Sequence, residues 1–174
     1  QPSSAQVASM VAADLVIVNG LGLEEGLLPA LDSIGSDGAR VLEIGELIDP
    51  LPFGTEAEEH SEDEHHDDHA DEDHSESGAE EDDHAHGAYD PHFWMDMDRM
   101  AAAARLIGEE VETFGAEGYS ACGEEVAASI EAAEQELLDT LAGVPDARRI
   151  LVTDHDALSY FAESYGFRVI GVVI

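Results

Sequence analysis

Short β-branched runs alternate along the chain with stretches whose apolar residues recur every three or four positions. Residues 13–18, ADLVIV, form one such run and close on Asn19-Gly20, a turn signal, which predicts a strand. The following LEEGLLPALDSI carries Leu23, Leu27, Leu28 and Leu31 at helical spacing, and RVLEIG (40–45) predicts a second strand. Strand, helix, strand at these separations implies a βαβ unit with a parallel sheet. Pro50 and Pro52 end this first ordered part, and apolar patterning is lost until Tyr89. Asp96 then stands as N-cap of a predicted helix over 97–114. Residues 117–142 predict a long helix through Val126, Ile130, Ala133, Leu137 and Leu141, ended by Pro145. RRILVTD (148–154) as strand, HDALSYFAESYG as helix and FRVIGVVI as strand make a second βαβ unit. The expected fold class is α/β, two lobes of parallel sheet flanked by helices and joined by one long helix. The expected division is 1–115 for the first lobe, 116–143 for the linking helix and 144–174 for the start of the second lobe.

Charge changes this picture more than composition does. Forty-one acidic residues face six basic ones, for a net charge of −35, and residues 56–88 hold 16 of the acids and no base. The tract therefore accounts for under half of the imbalance, and the globular part is acidic in its own right. Such a field repels nucleic acid and anionic lipid and attracts cations, so nucleic-acid binding is excluded. Every basic residue is arginine, which suggests a GC-rich genome or a salt-adapted host and says nothing of mechanism. A single cysteine, Cys122, rules out an intrachain disulfide and a cysteine-based zinc site. No apolar run approaches the roughly 18 residues of a membrane span. The chain begins at Gln1 without methionine and stops at Ile174 within an apolar run, so both ends are expected to continue, with a removed export signal upstream.

Seven of the nine histidines, His60, His65, His66, His69, His74, His84 and His86, lie in the acidic tract. With almost nothing apolar to bury, the tract is expected to be a disordered, solvated loop. Acidic residues alone would serve solubility, whereas interspersed imidazoles are ligands for Zn2+ and similar ions. Weak capture at several places is expected, with no single defined site. The other two histidines lie elsewhere. His92, in DPHFWMD, follows Pro91, which limits the backbone, and has Asp90 and Asp96 within reach as acceptors for its ring. His155, in VTDHDALSYF, follows a predicted strand and is flanked by Asp154 and Asp156. Ligands in open α/β sheets gather at the carboxyl ends of strands, so the two imidazoles, one per half, can meet in a cleft. Phe93, Trp94, Tyr160 and Phe161 are read as core or cleft-wall packing, and Tyr119 and Cys122 as structural. Gly-rich phosphate loops, HExxH and G-x-S-x-G are absent.

Taken in order, NGLGLE after ADLVIV, the His/acid tract, DPHFWMD and TDHDALSYFAESYGFRVIGVVI resemble the zinc-binding substrate-binding proteins of bacterial metal ABC importers, the ZnuA-like cluster A-I family. The resemblance runs through essentially the whole chain. It implies two α/β lobes joined by a rigid helix, one metal in the interlobe cleft, and delivery to a membrane permease. It places a ligand at His92, in the D-P-H-x-W pattern, and another at His155, before the A-x-x-Y-F helix. Manganese-selective relatives carry Glu at the latter position, so histidine there and the His-rich loop favour zinc over manganese. The family's first histidine ligand would lie upstream of Gln1 and its carboxylate ligand beyond Ile174. A periplasmic or extracellular location, with or without a lipid anchor, and a monomeric state are expected, and no enzymatic activity. Three other readings compete. One is a stand-alone metal buffer or metallochaperone in which the loop binds tightly. A second is a zinc hydrolase using Asp154 or Asp156 as base, which nothing else in the sequence supports. The third is a manganese-type protein or adhesin of the same family, which needs a matrix-binding assay to assess.

Overall fold

A computed structural model describes residues 2–53, 88–115 and 117–172. The chain opens with a helix α1, Ser4–Val11, which the apolar pattern does not announce because it buries no residue. Its start is fixed locally. Ser3 accepts from the Gln6 backbone N–H while the Gln6 side chain accepts from Ser3, a reciprocal capping box. Strand β1, Val16–Val18, and strand β2, Val41–Glu43, flank helix α2, Leu28–Ser36, and pair in parallel with Val16 opposite Val41 and Val18 opposite Glu43. This is the first βαβ unit expected from the sequence.

The turn after β1 is tightly built. Gly20, Leu21 and Gly22 all take positive φ, and the Glu24 carboxylate accepts the backbone N–H groups of Asn19 at 2.7 Å and Gly20 at 3.0 Å. Gly45 follows β2 where a Cβ would lie 2.6 Å from the Leu21 side chain, so only glycine fits beneath that turn.

Residues 51–53 pair with residues 88–90. Phe53 N–H donates to Ala88 O at 3.2 Å, Asp90 N–H donates to Leu51 O at 2.8 Å, and Pro52 and Tyr89 form an antiparallel bridge. A short 3-10 turn, Phe93–Met95, leads to helix α3, Met97–Glu112, capped as expected by Asp96, whose carboxylate accepts Arg99 N–H at 3.2 Å. Helix α4, Tyr119–Leu141, packs along α3. A glycine on each helix allows the approach: a Cβ on Gly123 of α4 would lie 2.7 Å from Ala104 O, and one on Gly108 of α3 2.5 Å from Tyr119 O.

The second unit consists of strand β3, Ile150–Thr153, helix α5, Ser159–Tyr165, and strand β4, Arg168–Val172, again parallel, with a register shift between Leu151 and Val152. Helix α5 begins four residues later than the sequence suggests. Thr153 Oγ1 donates to His155 O at 2.7 Å and Ala157 N–H to the same oxygen at 3.0 Å, which holds 154–158 as a bend ahead of the helix. The architecture is the expected α/β one, two parallel units with the long helix α4 between them in sequence.

The central core gathers Ile44, Ile48, Phe93, Ala103 and Tyr160, joining residues from both units. Two tyrosines on α5 carry the polar part of this junction. The Tyr160 hydroxyl donates to Asp90 O at 2.7 Å and accepts Leu51 N–H at 3.0 Å. The Tyr165 hydroxyl accepts Met97 N–H at 3.4 Å and donates to Glu134 Oε1 at 3.2 Å. Asp96 adds a third tie, accepting from Ser164 Oγ at 2.8 Å and pairing with Arg99.

Candidate metal centre

His92 lies at the N-terminus of the 3-10 turn, directly after Pro91, and its ring is held from several sides. The buried Asp90 carboxylate meets it twice: Oδ1 accepts His92 N–H at 2.9 Å and lies 2.6 Å from Nδ1. A neutral imidazole so placed carries its proton on Nδ1 and leaves Nε2 as a free donor atom for a metal. The carbonyl of Pro91 accepts from the Asn19 side chain at 3.0 Å, which ties this segment to the turn after β1. Trp94 packs edge-on against the ring, with centroids 5.1 Å apart. The other Asp90 oxygen, Oδ2, is buried with no hydrogen-bond partner among the described residues.

His155 sits on the bend after β3, and its Nδ1 lies 3.0 Å from Asp154 Oδ1. This hydrogen bond from the imidazole holds the Asp154 carboxyl below its usual range. The environments differ: the His92 side chain is 15% exposed and that of His155 67%.

The two rings come together. Their centroids are 5.7 Å apart with planes inclined at 61°. Bonds of about 2.0–2.1 Å to zinc put each centroid about 3 Å from the ion, so two rings sharing it stand at most about 6 Å apart. The observed centroid spacing falls within that limit, and both rings turn Nδ1 to a carboxylate. Two imidazoles do not complete a tetrahedral shell, and among the described residues no group of three or more His, Cys, Asp or Glu is arranged to hold a metal.

The remaining candidates fall elsewhere. Asp90 and Asp154 each face an imidazole, whereas Asp156 accepts from Ser159 Oγ at 3.3 Å at the start of α5. Asp96 serves α3, Arg99 and Ser164. His60, His65, His66, His69, His74, His84 and His86 lie outside the described residues. Phe93 and Tyr160 are core, as expected from the sequence, while Trp94 is 41% exposed beside His92. The sequence marks Asn19 only as a turn residue and gives no local sign of the Tyr160 hydroxyl's contacts; the NGLGLE spacing that brings Glu24 back onto Asn19 and Gly20 is the one available signal.

The chain also matches proteins that are already known. The family model described as zinc-uptake complex component A, periplasmic (ZnuA), matches residues 1–174. The chain is similar to the manganese-binding lipoprotein MntA of Halalkalibacterium halodurans, 28% identical over 174 residues, covering 98% of this chain and 47% of that protein. It is also similar to the iron-binding protein YfeA of Yersinia pestis, 26% identical over 171 residues, covering 97% of this chain and 46% of that protein. The chain thus spans about half the length of these curated relatives. In fold it is similar to a zinc-bound ZnuA deletion mutant, with a TM-score of 0.70 at 19% identity over 99% of this chain and 55% of that one. The periplasmic zinc-binding protein TroA of Treponema pallidum gives 0.67 at 23% identity, over 97% of this chain and 52% of that one.

Proposed function

The chain belongs to the periplasmic zinc-uptake complex component A (ZnuA) family, and from that premise we propose that it captures Zn2+ between its two halves and passes it to the permease of an ABC importer. It is an extracytoplasmic metal-binding protein of the substrate-binding type. Among the described residues no helix is long and apolar enough to cross a membrane. His92 and His155 are two of the ligands, with Asp90 and Asp154 orienting their rings. The observation that carries this reading is the 5.7 Å spacing of the two imidazoles across the junction of the halves. The net charge of −35 enriches cations around the protein before any ligand is met. The histidines of the 60–86 tract act as an auxiliary collector, and the reading includes no catalytic step.

A second reading, capture of manganese or iron, draws on the names of the two similar proteins. Two nitrogen donors favour zinc over manganese, which prefers oxygen. Competition titrations with zinc and manganese on the complete chain test the choice. Zinc should win in the native protein, and His155→Glu should move the preference toward manganese. Tight zinc binding retained by both His92→Ala and His155→Ala would overturn the cleft reading and leave the tract as the binding element.

A further inference from the structure

Tyr160 is fully buried, and its hydroxyl is saturated by two backbone groups of the opposite half. It donates to Asp90 O at 2.7 Å and accepts Leu51 N–H at 3.0 Å, while Asp90 N–H itself donates to Leu51 O at 2.8 Å. One phenol therefore closes a three-way junction where residues 51–53 pair with the segment that precedes His92. The Arg99 guanidinium lies over the same ring, 4.8 Å from its centroid, and fixes the ring as well as its hydroxyl. Burial raises the hydroxyl's pKa further above an ordinary value that already leaves it protonated at neutral pH.

The paths from this junction to both imidazoles are short. On one side Asp90 holds the His92 ring and backbone through its own carboxylate. On the other, Tyr160 stands on the first turn of α5, immediately after the bend that carries His155. We infer that Tyr160 is a positioning residue for metal capture: its hydroxyl bridge from α5 to Asp90 sets the spacing of the His92 and His155 rings. This rests on the reading of those two histidines as ligands. A phenylalanine would fill the same space and keep the packing, but it would leave the Asp90 carbonyl and Leu51 N–H without this partner. Metal–ligand distances tolerate only about 0.2 Å, so a small drift of Asp90 relative to α5 is felt at the metal.

Tyr165 supplies the control. It lies on the same helix, is also buried, and its hydroxyl also bridges to other elements, but its partners are Met97 N–H and Glu134, away from the segment that orients His92. In the complete chain, Tyr160→Phe, Tyr165→Phe and His92→Ala are compared by thermal unfolding, by zinc competition against a chelator, and by the visible absorption of the Co2+ form. Both tyrosine variants should melt at lower temperature. Only Tyr160→Phe should bind zinc at least about tenfold more weakly, the scale of lost outer-shell support, and shift the Co2+ bands. If Tyr160→Phe does not fold, 4-fluorophenylalanine placed at position 160 alone, which fills the hydroxyl's place but cannot donate to Asp90 O, is held to the same criterion. Equal zinc affinity and Co2+ spectra in the two tyrosine variants, with binding lost in His92→Ala, would overturn the positioning role and leave the ligand reading standing. Undiminished binding in His92→Ala would overturn the ligand reading and this inference with it.

Discussion

Asp90 and His92 are joined twice through one oxygen: Oδ1 accepts the His92 backbone N–H at 2.9 Å and lies 2.6 Å from its ring Nδ1. The carboxylate thus sets both where the residue sits and which ring nitrogen is left open. Asp90→Asn keeps the shape and one acceptor but removes the charge that favours a proton on Nδ1. Zinc affinity should fall about 10- to 100-fold, the usual cost of losing an outer partner of a histidine ligand. Chelator competition on the folded variant measures it.

The contact between α3 and α4 gives a prediction independent of metal. A methyl group on Gly123 would lie 2.7 Å from Ala104 O and 3.3 Å from Gly108 Cα. Gly123→Ala gains about 1 kcal/mol in helix propensity, but forcing the helices apart costs about 1–3 kcal/mol. The net change should be destabilising, seen as a lower urea midpoint with an unchanged slope. Zinc affinity, read on folded protein, should be unaffected.

Alkaline pH should weaken the junction between the halves. Burial, aided by the nearby Glu134 and Asp96 charges and opposed by the hydrogen bond from Met97 N–H, pushes the Tyr165 hydroxyl from 10.0 up to about 12. The folded state then holds its proton more tightly than the unfolded state. The stabilisation is fully present below about pH 10 and is lost as pH rises toward about 12, a loss of about 2–3 kcal/mol. Tyr165→Phe should lose less stability than the native protein over that window, followed by denaturant midpoints at each pH.

The hydrogen bond between Phe53 and Ala88 bears on the His-rich tract. With Pro52 already bridged to Tyr89, removing residues 56–86 leaves a connection of hairpin size between positions that are already hydrogen-bonded. The deletion should leave the melting temperature within a few degrees of native and reduce the number of zinc ions bound, while the tightest site persists in isothermal titration. Loss of the tightest site instead would assign capture to the tract.

What could be read from the sequence follows the range of the forces involved. Strands β1 and β3, helix α4 and the Asp96 cap are set by local apolar spacing and side-chain chemistry, and they stand where those signals put them. The approach of His92 and His155 was legible only as a coincidence of position, each beyond a strand in its own half. Helix α1 carries no apolar signal because it buries nothing, although Ser3 and Gln6 spell its cap. The start of α5 lies later than its pattern predicts because the bend before it is held by Thr153. The bonds of Tyr160 reach 70 and 109 positions along the chain, where no local pattern can foretell them.

The unequal exposure of the two rings, 15% for His92 and 67% for His155, gives the proposed site an order of events in time. An ion arriving from solvent meets the outer ring first, while the inner ring waits already aimed. Leaving reverses the order, so the outer ring makes both the first contact and the last. On that reading, arrival and departure both pass through His155, and His155→Ala should change the two rates together.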